Sequence, residues 1–296
     1  FGCMQFGGTA DAAASQALYE ACRAAGVNFF DTAHTYTDGA SERMLGEFAK
    51  PERDKLIVAT KTGYTGGSGR DNILRQFDES RTRLGIDTVD ILYLHRWDSD
   101  PPLHETFETL GNLQQSGKIR HLGVSNFAAW QVMKAQTVAN MVGTRIDIIQ
   151  PMYSLVKRQA EVELFPMALS EGIAIAPYSP LGSGLLTGKY LSGGTGRLST
   201  DKRYAARYGQ DWMIETAQAL SGLAQDRGAD PASLAVAWAA HHPAVTSPII
   251  SARNVAQLQP SLVAQNLKLT AEEYARIEAL SVRPAPATDR LEEAVP

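Results

Sequence analysis

The pattern of apolar and polar positions alternates between two periods along most of the chain. Apolar residues recur at the three-and-four spacing of an amphipathic helix in residues 11–25, 71–84, 103–116, 128–138, 159–170 and 213–226. Short apolar runs lie between and around these segments, at 1–7, 27–30, 56–60, 89–94, 121–125, 147–150, 173–178 and 247–251. Such runs, separated by helices, are typical of parallel strands that are covered on both faces.

The spacing of these strands predicts the fold. Six of them end near positions 31, 61, 95, 126, 150 and 178, at intervals of 30, 34, 31, 24 and 28 residues, each long enough for one strand and one helix. With the first and last runs the count is eight, which predicts an α/β fold of the (β/α)8 (TIM) barrel type, a single domain over residues 1–296. A doubly wound fold is the alternative, but GGTADAA at 7–13 lacks the G-x-G-x-x-G fingerprint that it would need.

Two segments, 182–209 and 282–296, depart from the regular spacing of strands and helices, and a last predicted helix lies between them. The Gly-rich residues 182–209 follow the seventh strand, and we expect them to form a long loop that acts as a lid. Thr270 and Glu273 form a capping box that predicts a last helix. The tail 282–296 holds three prolines and is expected to be irregular.

Composition and charge exclude several classes of protein. The chain is 44% apolar and 20% charged with a net charge of -4, so it has the composition of a globular protein without general attraction to nucleic acid or anionic membranes. No apolar run approaches the roughly 18 residues that span a bilayer, and the first residues do not resemble a signal peptide. Cys3 and Cys22 are too few for a disulfide framework, which favours the cytoplasm. Because the numbering begins at Phe1, we expect some N-terminal residues to be missing.

Polar side chains at the ends of three neighbouring strands form the candidate site. Asp31, Lys61 and His95 end the second, third and fourth strands, and Tyr36 lies in the loop after Asp31. The carboxyl ends of barrel strands meet at one face, so we expect these four residues to lie together. Asp31 would compensate the buried charge of Lys61, and a cation beside a tyrosine hydroxyl lowers the phenol pKa and makes Tyr36 a usable general acid. His95 would donate a hydrogen bond to a substrate oxygen.

Other interpretations of the same residues are possible. Taken singly, Asp31 could cap a turn, Lys61 could end a strand in solvent, and Tyr36 or His95 could be ordinary loop and core residues. Lys61 could also form a Schiff base, as in barrel aldolases, although that role needs a desolvated lysine without a carboxylate beside it. The nearness of Asp31 therefore favours the acid–base interpretation.

Seven motifs follow one another in a fixed order along the chain. They are DTAHTYTDGASERMLGE (31–47), ATKTG (59–63), DILYLHRWD (90–98), GKIRHLGVSNF (117–127), QPMYS (150–154), APYSPLGSGLLTGKY (176–190) and SPIISARNVAQL (247–258). In this order they resemble the successive motifs of the aldo-keto reductase superfamily, from Phe1 to about Leu280. The long segment after the seventh strand and the sequences LHR and GLLTGKY make the chain more similar to the bacterial and potassium-channel-β-like branches than to the mammalian aldose-reductase branch.

This resemblance implies a carbonyl reductase with a nicotinamide cofactor and a small-molecule carbonyl or alcohol substrate. The guanidinium of Arg253, expected beside a helix N-terminus, favours a 2'-phosphate and so NADP(H) over NAD(H). The resemblance places the catalytic tetrad on Asp31, Tyr36, Lys61 and His95, with Tyr36 as the proton donor. It also implies a set of cofactor-binding residues, which runs from the carboxamide and ring (Ser125, Asn126, Gln150, Tyr178) through the pyrophosphate (Ser179, Leu181, Ser183, Lys189) to the adenosine (Arg253, Gln257), with Gly2, Met4 and Ser251 beside them.

The sequence departs from the family pattern at a few positions. Cys3 stands where the first strand usually has Thr, Ser251 where Gly is usual, and Pro260 with Ser261 replaces a common Glu-Asn pair. By position, Phe6, Trp97 and Phe127, together with Met4, are candidate walls of an apolar substrate pocket. Channel β-subunits share the barrel and the tetrad, so a nicotinamide-binding regulatory subunit is the alternative function.

Overall fold

The computed structural model describes residues 1–293; the last three residues of the tail predicted at 282–296 lie outside the described residues. Within that range helices and strands alternate along the chain. The strands are β1 Phe29–Asp31, β2 Ile57–Thr62, β3 Val89–Leu94, β4 Ile119–Ser125, β5 Ile148–Gln150 and β6 Ala174–Ile175. The helices are α1 Ala12–Ala24, α2 Ala40–Ala49, α3 Arg70–Leu84, α4 Leu103–Gln115, α5 Ala129–Met141, α6 Leu164–Glu171, α7 Arg197–Thr200, α8 Lys202–Tyr208, α9 Asp211–Arg227, α10 Pro231–His241, α11 Val255–Val263 and α12 Ala271–Glu278.

The strands form one sheet in chain order, β1-β2-β3-β4-β5-β6. The pairs from β1 to β5 are parallel, with Asp31 opposite Ala59, Lys61 opposite Tyr93 and Ser125 opposite Gln150. All six residues of β3 are buried, as the apolar run VDILYL requires of a strand covered on both faces. Parallel pairing brings the carboxyl ends of these strands to one edge of the sheet.

The first and last predicted strands are shorter than the sequence pattern indicates. At the start, the Cys3 amide donates to the Asp31 carbonyl at 2.8 Å, but the chain turns directly afterwards, with the Phe6 amide on the Cys3 carbonyl. Near the end, a single parallel bridge joins Ile249 to Tyr178. Pro177 and Pro248 lack the amide hydrogen that a longer ladder needs, which also limits β6 to two residues.

Most of the predicted helices form close to their expected bounds. The helix predicted at 159–170 begins later, at Leu164, after a short 3-10 helix at Gln159–Glu161. Pro166 explains the difference, because its ring would clash with the carbonyl four residues earlier in a longer helix. The predicted capping box of α12 is present, with the Thr270 amide donating to Glu273 at 2.8 Å and the Glu273 amide donating to Thr270 at 3.2 Å.

The Gly-rich segment predicted as a loop at 182–209 contains helical structure. A 3-10 helix covers Gly182–Thr187, and α7 and α8 follow before Gly209. Helices α2 and α10 also have no counterpart in the predicted pattern. In α10 every residue from Ala232 to Ala239 is buried, so its sequence shows no polar face. In α2 the apolar stripe contains the buried Glu42.

The contacts divide the chain into two compact units. Unit one holds Phe1–Gln150, Gly172–Ala174 and Ser251–Leu258. Unit two holds Pro151–Glu171, Ile175–Ile250 and the chain from Gln259 onward. The core of unit two includes Tyr153 and Trp238, whose rings stack at 5.2 Å.

Candidate active site

A buried ion pair joins the carboxyl ends of β1 and β2. Lys61 is 1% exposed and Asp31 is 3% exposed. The Lys61 ammonium donates to Asp31 Oδ1 and, at 2.8 Å, to the Thr32 carbonyl. Burial alone would lower the pKa of Lys61, but the charge of Asp31 and the hydrogen bonds to Asp31 and Tyr36 raise it above its ordinary value. Lys61 is therefore a stable cation inside the protein.

Tyr36 lies directly beside that cation. Its hydroxyl is 3.5 Å from Lys61 Nζ, and Lys61 Nζ is 5.1 Å from the centre of its ring. Thr37 and Asp38, which follow Tyr36, both have left-handed backbone conformations. The Thr37 hydroxyl fixes this turn because it donates to the Phe6 carbonyl at 2.7 Å and accepts the Ser41 amide at 3.0 Å.

A charged network supports the loop that carries Tyr36. Glu42 is completely buried, accepts the Thr60 hydroxyl at 2.6 Å, and pairs with Arg83 at 3.1 Å. Arg83 also donates to the His34 carbonyl at 3.0 Å. A β-carbon at Gly39 would lie 2.6 Å from the end of the Arg83 side chain, and the φ of +81° is a backbone conformation that favours glycine. The network ties α2 and α3 to the loop between β1 and α2.

His95 completes the group at the end of β3. Its ring meets the Tyr36 ring edge-on at 5.7 Å, and its backbone amide donates to the Thr62 carbonyl at 2.8 Å. Burial, together with the charges of Lys61 and Arg96, lowers the pKa of His95 to about 3. The imidazole is therefore neutral near neutral pH, with one N–H donor and one acceptor nitrogen. Within residues 1–293, its buried Nδ1 has no hydrogen-bond partner.

The amide and hydroxyl side chains at the ends of β4 and β5 lie against the tetrad. Gln150 is buried, and its amide donates to Asp31 Oδ2 at 2.9 Å. The Ser125 hydroxyl donates to the Gln150 carbonyl at 2.9 Å, and the Asn126 amide donates to the His95 carbonyl at 3.0 Å. Gln150 was predicted as a cofactor contact; in this structure its amide orients the Asp31 carboxylate.

The remaining predicted cofactor residues fall in both units. In unit one, the Ser251 hydroxyl donates to the Gly2 carbonyl at 2.8 Å, and Met4 is half-buried in the turn after Gly2. Arg253 is exposed and its Nε lies 3.5 Å from Gln257 Oε1, next to the start of α11. In unit two are Tyr178, Ser179, Leu181, Ser183 and Lys189.

The segment around Ser183 has an unusual backbone. Gly182, Ser183 and Gly184 all have positive φ, at +54°, +56° and +90°. Successive left-handed residues of this kind can form an anion-binding concavity of backbone amides. The Ser183 hydroxyl oxygen is buried, and a β-carbon at Gly184 would lie 3.1 Å from the Lys189 ammonium. These features fit a pyrophosphate.

The candidate pocket residues have different surroundings. Phe6 is completely buried between the rings of Phe1 and Phe48, so in this structure it packs in the core rather than lining an open pocket. Trp97 meets Phe127 edge-on at 5.3 Å. The ring centres of Trp97 and Trp130 are 5.6 Å apart. The sequence pattern did not single out Trp130.

Several residues at the site had only weak signals in the sequence. Glu42 is a charge on the apolar stripe of α2, where Leu45, Gly46 and Ala49 are also buried, and a charge in that position indicates a buried partner. Tyr64 and Arg96 are loop residues, and nothing in their spacing predicts a contact. No group of His, Cys, Asp or Glu in the described part of the chain is arranged to hold a metal ion.

Comparison with known proteins identifies the class. A parallel sheet with alternating helices fits a (β/α)8 barrel, and a polar cluster lies at the carboxyl ends of its strands. The model of the aldo/keto reductase family matches residues 1–282. The chain belongs to the aldo/keto reductase family, and its reductase relatives support an oxidoreductase.

The relatives have different described roles. The chain is 33% identical to a probable voltage-gated potassium channel subunit beta of Oryza sativa subsp. japonica, over 93% of this chain and 89% of the relative. It is 30% identical to an L-glyceraldehyde 3-phosphate reductase of Escherichia coli O157:H7, over 86% and 79% of the two chains. It is also 30% identical to a norsolorinic acid reductase of Emericella nidulans, over 88% and 70%. No helix among residues 1–293 is long and apolar enough to cross a membrane.

Proposed function

We propose that this protein is a cytoplasmic, NADP(H)-dependent aldo-keto reductase that interconverts an aldehyde or ketone and the corresponding alcohol. One observation carries the proposal: the Lys61 ammonium contacts both Asp31 and, at 3.5 Å, the Tyr36 hydroxyl. A phenol beside a buried cation can release a proton, because the cation stabilises the phenolate that remains. A lysine that stays protonated is not a nucleophile, so the same contact argues against an imine-forming lyase.

Each member of the tetrad has a separate task. Tyr36 donates its proton to the carbonyl oxygen during reduction and takes it back during oxidation. Lys61 stabilises the phenolate, and Asp31, oriented by Gln150, holds the ammonium in place. The neutral His95 donates a hydrogen bond to the substrate oxygen and positions it as charge develops.

The cofactor that we propose is a nicotinamide dinucleotide, which supplies or accepts the hydride when bound. Ser125, Asn126 and Gln150 offer donors and acceptors to a carboxamide, and Tyr178 offers a flat face to a ring. In unit two, Ser183, Lys189 and the left-handed backbone around them suit a pyrophosphate, with Ser179 and Leu181 beside them. Arg253 at the start of α11 favours a 2'-phosphate, and so NADP(H) over NAD(H). The segment 182–209 would cover the cofactor as a lid.

The decisive variant is Tyr36→Phe, which removes one hydroxyl and keeps the ring. We expect NADPH-dependent reduction of a panel of aldehydes and ketones, followed by absorbance, to fall by a factor of about 100 to 10,000, the usual contribution of a general acid. NADPH binding, followed by its fluorescence, should persist. NADH measured in parallel tests the cofactor preference. Tyr64→Phe is the matched control, because the Tyr64 ring also lies against His95, at 4.9 Å. Turnover near the wild-type level in Tyr36→Phe would disprove the proposed mechanism.

A regulatory subunit is the second candidate, and the similarity to probable potassium channel subunits beta favours it. Such a protein would keep the tetrad and bind the cofactor while acting through a partner. Reduction of test aldehydes by the purified protein distinguishes the two, because an enzyme turns over many times and a sensor does not.

A further inference from the structure

A guanidinium, described so far only for its effect on the pKa of His95, lies next to the candidate tetrad. Arg96 directly follows His95 and is exposed. Its guanidinium carbon is 5.1 Å from the centre of the Tyr64 ring, and the Tyr64 ring is 4.9 Å from the His95 ring. Tyr64 thus holds the cation beside His95, at the edge where Tyr36 and Lys61 also lie. A cation stacked on an aromatic face keeps its N–H groups free for other partners.

No acidic side chain that the structure describes neutralises this cation. In the described part of the chain, Arg96 makes no hydrogen bond or ion pair, and its direct contact is the ring of Tyr64. The acidic residue closest in sequence, Asp98, instead accepts the Ser68 amide at 2.8 Å. Lys61 is compensated by Asp31, and His95 is neutral at pH 7. The charge of Arg96 is therefore uncompensated by the residues that the structure describes.

An aromatic surface lies beside the same strand ends. The rings of Trp97 and Phe127 meet edge-on at 5.3 Å, and Trp130 contacts Trp97 at 5.6 Å. Trp130 is 61% exposed, which is unusual for so large an apolar side chain. Trp97 follows Arg96 directly, so the cation and the aromatic cluster are carried by the same short loop.

We infer that Arg96 forms an oxyanion subsite beside the tetrad, so that the preferred substrate is a carbonyl compound with a flat apolar body and a carboxylate or phosphate. This inference rests on the proposed function, and it adds one charged group to the predicted apolar substrate pocket. A guanidinium binds either oxyanion through two parallel N–H groups. The rings of Trp97, Phe127 and Trp130 would contact the apolar body.

The first test measures binding and needs no turnover. Benzoate, phenyl phosphate and benzyl alcohol are titrated against the full-length protein while tryptophan fluorescence is followed. We expect both anions to bind more tightly than the alcohol, and Arg96→Gln to weaken anion binding at least tenfold while the alcohol is unaffected. Preference for one anion identifies the oxyanion. Arg120→Gln is the control, because Arg120 is also exposed but lies at the amino end of β4, where it pairs with Asp90 at 3.1 Å.

The second test measures selectivity during reduction. The ratio of kcat/KM for 4-carboxybenzaldehyde to that for benzaldehyde should fall at least tenfold in Arg96→Gln, with kcat for benzaldehyde unchanged. An unchanged ratio, or equal anion affinity in wild type and variant, would overturn the subsite. Anion binding without reduction of either aldehyde would count against the proposed function alone. Reduction of both aldehydes without anion binding would count against the subsite alone.

Discussion

Lys61 keeps its charge in the interior because every polar neighbour is arranged around its ammonium. Removing an ammonium from water costs several kcal/mol, and Asp31, the Thr32 carbonyl and the Tyr36 hydroxyl together offset that cost. The charged state of Lys61 therefore depends on these neighbours, and loss of Asp31 would leave a buried and uncompensated charge. The same arrangement places beside Tyr36 an ammonium that stays charged over the pH range in which proteins are stable.

The pH dependence of stability should reveal the state of His95. Its pKa is about 3 in the folded protein and about 6.5 when unfolded, so between these values only the unfolded chain takes up the proton. The contribution of His95 to stability is thus complete above pH 6.5 and is lost as the pH falls towards 3. When the pH is lowered from 7 to 5, the unfolding free energy of His95→Gln should fall by about 2 kcal/mol less than that of the wild type. Urea unfolding at the two pH values measures the difference.

The control for this measurement is His104→Gln, since His104 is exposed. It should follow the wild-type curve. A His95→Gln variant with the wild-type pH dependence would show that His95 takes up its proton equally well in the folded protein.

The tetrad was predictable from the sequence residue by residue, whereas its support was not. Asp31, Lys61 and His95 end apolar runs and Tyr36 follows one, so parallel pairing alone brings them together. Glu42, Arg83, Tyr64 and Arg96 reach the site through side chains from helices and loops. Their positions depend on rotamers and tertiary packing, which periodicity does not encode.

At the scale of elements, strand prediction succeeded where the backbone could follow the apolar run. The run VDILYL became β3 without a change of bounds, because both of its faces are covered. The run at 173–178 contains Pro177, and only Ala174–Ile175 pairs as β6. Helix α10 was missed because its buried faces leave no polar contrast, and α2 because Glu42 interrupts its apolar stripe. Proline and buried charge are thus the local features that most altered the predicted pattern.

The elements of unit two are joined by Arg158, whose side chain is 2% exposed. It pairs with Glu161 at 2.8 Å and with Glu278 of α12 at 2.6 Å, and it lies 5.6 Å over the ring of Trp238 of α10. We expect Arg158→Met to lower the unfolding free energy by about 3 kcal/mol, because breaking a buried pair leaves carboxylates without their partner. Urea unfolding followed by circular dichroism measures this loss.

Arg203 provides the comparison for Arg158. It pairs with Asp201 at 2.8 Å, but its side chain is 81% exposed. Exposed pairs contribute about 0–1 kcal/mol, so Arg203→Met should have little effect. Equal losses in the two variants would mean that Arg158 contributes no more than a surface pair.

At the scale of the whole molecule, the regular intervals between strand ends predicted the succession of strands and helices that the structure contains. The family match over residues 1–282 agrees with the resemblance carried by the motifs. The division into two compact units was not predictable, because it depends on how the tertiary contacts are distributed along the chain. The intervals between strand ends would be the same for one unit or for two. The single domain and the eight strands remain predictions.

The two cysteines offer a probe of global opening. Cys3 and Cys22 are completely buried in unit one. Burial raises the pKa of both thiols, that of Cys22 to about 11, so neither forms a reactive thiolate while folded. We expect an aromatic disulfide reagent to label neither thiol of the native protein and both in denaturant, as followed by absorbance.

The labelling rate should rise with denaturant in parallel with unfolding of unit one. Cys22→Ala, with a single thiol, identifies which residue reacts. Rapid labelling of the native protein would show that unit one opens locally around that cysteine.

The hydrogen bond from Gln150 to Asp31 has a consequence for how the site is assembled. It joins residues 119 positions apart, whereas Lys61 and Asp31 are separated by 30. Contacts between distant residues close large loops and form late during folding. On a growing chain, the ion pair can form once β1 and β2 are present. The Asp31 carboxylate takes its final orientation only after β5, which carries Gln150, has been made. We therefore expect this orientation to be reached only after most of unit one has been synthesised, well after the last tetrad residue, His95.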